Sequence, residues 1–270
     1  MQRPADLLAD LAQFADDQVP ILETALALGA LRRSNADAVG ARAAITLLAD
    51  NVLDLTGTGA DMEAIAQAMV TILCKMPGFA LGGESADGNE LSELLEERRG
   101  ARETLAILWL AVAEDAHLPA EMLTFPLQSL IRLCDDTGKR AIVDCSDGRL
   151  LHAPALRTMH KLDSGPNAEL DPTFFQPLSR RDALLRWRQS LKMRHLRLGQ
   201  LDQALEVVEG ALLFSPRRAG LWREVGLMRL RLDDLPGAAA ALEQFVQRED
   251  NALARGKGKQ LLAEVRSRMR

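Results

Sequence analysis

The chain is poor in cysteine, aromatics and long apolar runs, and each shortage excludes something. Three cysteines, Cys74, Cys134 and Cys145, are odd in number and too sparse for a disulfide framework, and none sits in a C-x-x-C pair. The four histidines, His117, His152, His160 and His195, are scattered, with no H-E-x-x-H spacing, so no metal site is expected. A Rossmann glycine fingerprint and a P-loop are both missing, and no motif asks for a cofactor. The longest apolar stretch, Leu105 to Ala113, falls far short of the ~20 residues a membrane helix needs. The opening Met-Gln-Arg-Pro-Ala-Asp has no apolar secretory segment, so a cytoplasmic protein with no membrane contact is expected. Glycine and proline together are 30 of 270 residues, too few for a disordered or collagen-like chain.

What is present suits a packed, folded protein. Apolar residues make up 47% and charged residues 26%, and 270 residues allow one large domain or two ordinary ones. The net charge of −5 hides a split. Residues 1–177 hold 14 Lys/Arg against 27 Asp/Glu, a balance of −13, and residues 178–270 hold 19 against 11, a balance of +8. Two units of opposite sign are implied. The basic residues alternate with leucines at helical spacing and carry no aromatic interleaving, so they read as solvated helix faces and not as a nucleic-acid surface.

Apolar spacing predicts helices through residues 5–55, the longest from about 36 to 55. Asp61 is a candidate cap for a helix over about 62–75. Gly82 to Asn89 reads as a loop, and Glu90 to Arg98 restarts a helix. The run Leu105–Ala113 is apolar on every side, which marks a fully buried helix. Short runs follow at 122–125, 129–134 and 140–145, the last two joined by the Asp135-Asp136-Thr137-Gly138-Lys139 hairpin loop. The fold class is therefore α+β for residues 1–162, mostly helical with a small antiparallel sheet. Residues 163–177 hold three prolines and read as a linker. His152 and His160 lie just before it, in a segment that reads as irregular.

Residues 178–270 read as all-α and repetitive. Leu196, Arg197, Leu198, Leu201 and Ala204 recur 34 residues later as Leu230, Arg231, Leu232, Leu235 and Ala238, the tetratricopeptide period. Ala204, Ala238 and Gly226 supply the small side chains that close helix approach demands. Residues 252–269 read as the polar terminal helix such arrays need.

The order of these pieces resembles the bacterial SirB family, a transglutaminase-like core followed by tetratricopeptide repeats. The residues that carry the resemblance are Met76-Pro77-Gly78-Phe79, Leu91 to Gly100, the buried helix from Thr104, Phe125-Pro126 before a strand, and Val143-Asp144 before Ser146-Asp147-Gly148. The resemblance implies a papain-like core with a thiol at the start of the buried helix, an imidazole on the next strand and a carboxylate on the one after. Such a triad works because a helix N-terminus favours thiolate, the imidazole takes the proton and the carboxylate orients the ring. This sequence departs from it. The helix begins Gly100-Ala101-Arg102-Glu103-Thr104 without cysteine, and Gln128 stands where the resemblance implies histidine. Of the three positions, Arg102, Gln128 and Asp144, only Asp144 keeps the implied residue.

The expectation is a non-catalytic protein, a pseudoenzyme that acts by binding or regulating another protein. The alternative is a residual thiol-dependent amide hydrolase or transferase using a cysteine or histidine outside the motif. Cys74, Cys134 and Cys145 otherwise read as packing residues, His117 as a helix C-terminal cation and His195 as a surface or groove residue. Arg98, Arg99 and Arg102 read as ion pairs with Glu96, Glu97 and Glu103, or as a vestigial cleft that takes an anion. Arg186, Lys192, Arg223 and Arg229 are expected to be exposed on the repeat helices, where they would suit an acidic peptide or protein partner, unless the short array only buttresses the core.

Overall fold

The computed structural model describes residues 2–33, 37–57, 59–76, 78–82 and 90–269. The loop expected at 82–89 therefore lies, beyond Gly82, outside the described residues, as does Pro77 of the Met76–Phe79 motif.

Packing divides the chain into two compact units, residues 16–187 and residues 1–15 with 188–270. The larger unit opens with α2 (Ile21–Arg32), α3 (Ala38–Thr56) and α4 (Met62–Val70), the last running into a π-helical turn at Thr71–Lys75. Both acidic caps are local chemistry made visible. Asp37 accepts from the Gly40 amide and Asp61 from the Ala64 amide, 2.8 and 2.9 Å away, each satisfying one of the amides that a helix start leaves open. The expected helix at 62–75 is thus two-thirds α and ends in the wider turn.

Two short strands, β1 (Ala80–Leu81) and β2 (Arg99–Gly100), pair in parallel around α5 (Leu91–Glu97). They deliver the chain to α6 (Arg102–Asp115), the buried helix. Every residue from Thr104 to Ala113 is buried. The reason is coverage on all sides: α2, α3 and α5 pack on α6, as do strands β3 (Ala120–Met122) and β4 (Leu130–Cys134). At the far end of α6 the Glu114 carboxylate accepts from the amides of Ile21 and Leu22, at 3.2 and 3.0 Å, and so caps α2, which has no side-chain cap of its own. It also pairs with Arg180.

The strands β3, β4, β5 (Arg140–Asp144) and β6 (Arg149–Leu150) form a meander with Ile131 opposite Val143 and Arg132 opposite Ile142. Alternation puts Ile131, Leu133, Ala141 and Val143, all buried, on one face. Arg132, Arg140, Ile142 and Asp144 share the other. The expected hairpin loop joins β4 and β5, and the Asp135 carboxylate gathers the amides of Thr137 and Lys139, both at 2.9 Å.

The segment read as a linker is instead part of the core unit. α7 (Ala153–Ser164) starts in what read as an irregular stretch, and His160 is buried on it beside Phe125 and Phe174. A 3-10 turn at Pro172–Phe175 then seats Phe174 and Phe175 edge-on against Phe125, each with ring centroids 5.9 Å away. The chain also hydrogen-bonds back to the core through Thr124 N to Gln176 O (3.0 Å) and Leu178 N to Met122 O (2.8 Å). Prolines there shape turns over an aromatic cluster, and the packing of the two half-buried phenylalanines on Phe125 outweighs the composition that suggested a spacer.

In the second unit α9 (Leu201–Phe214), α10 (Ala219–Arg231), α11 (Leu235–Arg248) and α12 (Ala252–Arg268) follow the 34-residue period. Ala204 and Ala238 are fully buried. A Cβ on Gly226 would stand 2.8 Å from Leu242 Cγ, so α10 and α11 come as close as they do because position 226 has no side chain. The N-terminal helix α1 (Pro4–Leu11) packs on α9 and belongs to this unit, not to the core with which it was grouped by position in the chain. Two repeats expose apolar faces that a third would cover, and α1 covers one with the buried Leu8 and Leu11.

Candidate functional site

The three positions at which the resemblance implies a triad meet in one cleft of about 470 Å³ within the core unit, lined by Arg102, Gln128, Asp144 and Asp163 among others. Arg102 is the first residue of α6, placed there by the β2 strand just before it. Gln128 sits on the turn into β4, after Leu127, which is exposed and takes the left-handed φ of 58°. Asp144 ends β5. The next turn folds back tightly: the Ser146 amide donates to Asp144 Oδ1 at 2.9 Å, and the Gly148 amide to the Asp144 carbonyl at 2.9 Å. Gly148 has a φ of 73°, and a Cβ on it would stand 2.9 Å from Val70 and 3.0 Å from Cys74 Sγ, so both conformation and space require glycine.

These residues form a polar chain. The Arg102 guanidinium donates to Gln128 Oε1, and Gln128 Nε2 donates to Asp163 Oδ2 at 2.8 Å. Asp144 is 2% exposed and faces Arg149 at 3.7 Å. Where the resemblance implies a nucleophile and a base there stand a guanidinium and an amide, and neither group takes up a proton or attacks a carbonyl at neutral pH. Asp163 was not singled out from sequence because 163 was read as the start of a linker. The signal was there: Leu156, His160 and Asp163 recur at i, i+4 and i+7, after Pro154 and before Gly165, the punctuation of a helix.

Two of the three thiols, Cys74 and Cys145, are held toward the protonated form. Burial, with Asp147 and Asp144 nearby, pushes the Cys74 thiol up to about 11. Cys145 is fully buried, and desolvation, then the charge of Asp144, drives its thiol well above the ordinary value. Among the described residues no cluster of three His, Cys, Asp or Glu is placed to hold a metal ion.

The basic candidates divide. Of Arg98, Arg99 and Arg102, Arg102 alone lines the cleft. Arg98 takes a left-handed φ of 57° to close α5, and Arg99 lies on β2. On the helical segment α8 (Arg180–Arg197), Arg186 is not an exposed partner contact. Its guanidinium donates to the carbonyls of Leu123, Phe125 and Gln128 at 3.1, 3.1 and 2.7 Å, and burial pulls it below its ordinary pKa. Lys192 is also turned inward, 5% exposed and paired with Glu224 at 2.8 Å. His195, expected at a surface or groove, is 5% exposed with Nδ1 2.7 Å from Gln200 Oε1. Arg229 is committed to Glu209 at 2.6 Å. Arg223 is exposed as expected, and with Lys257 it lines a groove of about 320 Å³ together with Leu227, Leu242, Phe245 and Leu261.

Among the described residues no helix is long and apolar enough to cross a membrane. Residues 38–189 match the transglutaminase-like superfamily, and residues 191–269 match the tetratricopeptide repeat. Similar curated proteins include a UPF0162 protein of Xylella fastidiosa, 28% identical over 160 residues (58% of this chain, 57% of that one). Protein SirB1 of Salmonella typhimurium is 25% identical over 162 residues, and the UPF0162 protein YchA of Escherichia coli is 27% identical over 165, each match covering 60% of both chains. The matched stretch thus spans less than two thirds of these relatives' length. Among solved structures menin aligns at a TM-score of 0.42 and 11% identity, covering 90% of this chain and 68% of that one, too distant to carry an argument. The chain thus belongs to the transglutaminase-like superfamily, in the SirB1-type arrangement of such a core followed by tetratricopeptide repeats.

Proposed function

We propose that the protein is non-catalytic and works by binding another protein through its helical repeats. The observation that carries the reading is the Arg102–Gln128–Asp163 hydrogen-bond chain, in which the positions implied for nucleophile and base hold a guanidinium and an amide, groups that neither attack nor take up a proton. The remaining thiols add support. At a pKa of about 11, the thiolate fraction of Cys74 at pH 7 is about 10⁻⁴, some two orders of magnitude below that of an ordinary thiol.

The binding face is the groove at Arg223 and Lys257. Its apolar lining and two cations suit a peptide segment that carries an apolar side chain beside a carboxylate. Arg186, Lys192 and Arg229 keep the fold and drop out of the partner surface.

Two measurements test this. Iodoacetamide labelling of the native chain, followed by mass spectrometry, is expected to leave Cys74 and Cys145 unmodified at pH 7, with Cys74 labelling rising only toward pH 11. Rapid labelling of either at neutral pH, with amide hydrolysis or transfer that its Cys→Ser variant abolishes, would establish the thiol enzyme instead. For binding, Arg223→Glu with Lys257→Glu in the full chain is expected to release a partner captured from native extract. An unchanged capture by that variant would remove the groove from the account.

A further inference from the structure

We propose that a second cleft in the core unit, on the open part of the sheet's outer face, binds a small amphiphilic oxyanion: a carboxylate or phosphate ester on an apolar body. This cleft lies between β5, β6, the first turns of α7 and the Pro172–Phe175 turn, and measures about 570 Å³. That size falls within the ~300–1,000 Å³ of small-molecule sites.

Its floor is apolar. Ile142, Leu170 and Phe175 are half-buried members of the cluster built on Leu151 and Leu156, so this cluster keeps an uncovered flank inside the cleft. A floor of this kind offers no hydrogen-bond partner to a polar body and favours a hydrocarbon one.

Its rim is cationic, while several arginines elsewhere in the core unit are paired. Arg32, Arg33, Arg42, Arg149, Arg180 and Arg181 each pair with a carboxylate. Arg132, which also lines the cleft, is held by Glu121 at 2.5 Å and donates to the Phe175 carbonyl. Arg140 and Arg157 line the same cleft from β5 and α7, and among the described residues neither has an ion-pair or side-chain hydrogen-bond partner. A single carboxylate, Glu63, is among the lining residues. The α7 N-terminus adds to the sign: His152 and Ala153 line the cleft, the first turn has no acidic residue, and no side chain caps it. Two unengaged guanidiniums beside a helix start select a planar or tetrahedral oxyanion, and the floor beneath them selects what the oxyanion is attached to.

The site is separate from the degenerate cleft and from the repeat groove, and it stands whether or not the protein is catalytic. Calorimetric titration of the full chain with octanoate, octyl phosphate and octylammonium, all below micellar concentration, reads it directly. One oxyanion or both should bind saturably at one site, and octylammonium about tenfold more weakly or not at all. The tighter of the two oxyanions identifies the head group. Arg140→Gln with Arg157→Gln should weaken binding at least tenfold, and Glu63→Gln should tighten it. All three side chains are exposed, so circular dichroism should show an unchanged fold. Should the double variant misfold, the salt dependence of the unmodified protein serves: binding must weaken as ionic strength rises. Absence of saturable binding by either oxyanion, equal binding of octylammonium, or indifference to both salt and the arginine substitutions would each overturn the proposal.

Discussion

Replacing Trp187 by alanine is expected to lower the unfolding free energy by about 3–5 kcal/mol, the usual cost of emptying a buried aromatic site. Trp187 is 1% exposed and among the largest fully buried side chains. Its indole N–H donates to Thr104 Oγ1, 3.2 Å away in the first turn of α6, across 83 residues of sequence. The substitution therefore opens a cavity beside the central helix and removes a hydrogen bond from the end that carries Arg102. Trp187→Phe helps separate the two contributions, because it removes the donor while keeping an aromatic ring in the site. A cost of about 1 kcal/mol, typical of one neutral hydrogen bond, is expected for it on top of a modest packing loss. Urea unfolding followed by circular dichroism measures both. A loss under 1 kcal/mol for the alanine variant would mean that Trp187 is not part of the core.

Arg186→Ala is expected to cost about 3 kcal/mol or more, on the order of two charge-assisted hydrogen bonds at ~1.5–3 kcal/mol each. The guanidinium gathers the carbonyls of Leu123, Phe125 and Gln128, all on the chain that connects β3 to β4. That connection carries Gln128 into the cleft and holds the strained Leu127 turn. Arg186→Lys keeps the charge, but one ammonium on a flexible stem does not reproduce a planar fork that reaches three acceptors, so most of the loss should persist. The same variants separate a structural from a binding role for this residue. If Arg186 were a partner contact, Arg186→Ala would leave the melting temperature unchanged and weaken capture alone.

Much of the local structure was legible. The cap Asp61, the hairpin loop at 135–139 and the 34-residue period each follow from chemistry within a few residues, and each appears in the fold. The buried helix was legible for a different reason: a run apolar on every side has no face to offer water, so it must be enclosed. The linker reading failed because proline content reports on backbone turns, whereas the position of residues 163–177 is set by Phe174 and Phe175 against Phe125. The surface reading of Arg186 and Lys192 failed on a related point. A charge is cheap to place at the surface, but a buried carbonyl or a facing glutamate satisfies it equally well, and the long aliphatic stem packs wherever the head is satisfied.

The sequence by itself determined the order of elements, the repeat, and the lack of a thiol at 102 and an imidazole at 128. Composition, periodicity and residue identity are local properties, and they need no coordinates. Tertiary structure alone decided that Arg102, Gln128 and Asp144 share one cleft, that Glu114 caps a helix more than ninety residues away, that α1 completes the repeat unit, and that Arg140 and Arg157 flank an apolar pocket. Those facts depend on which distant surfaces bury one another, and a contact across a long stretch of chain is chosen by the packing of the whole core rather than by the residues on either side of it.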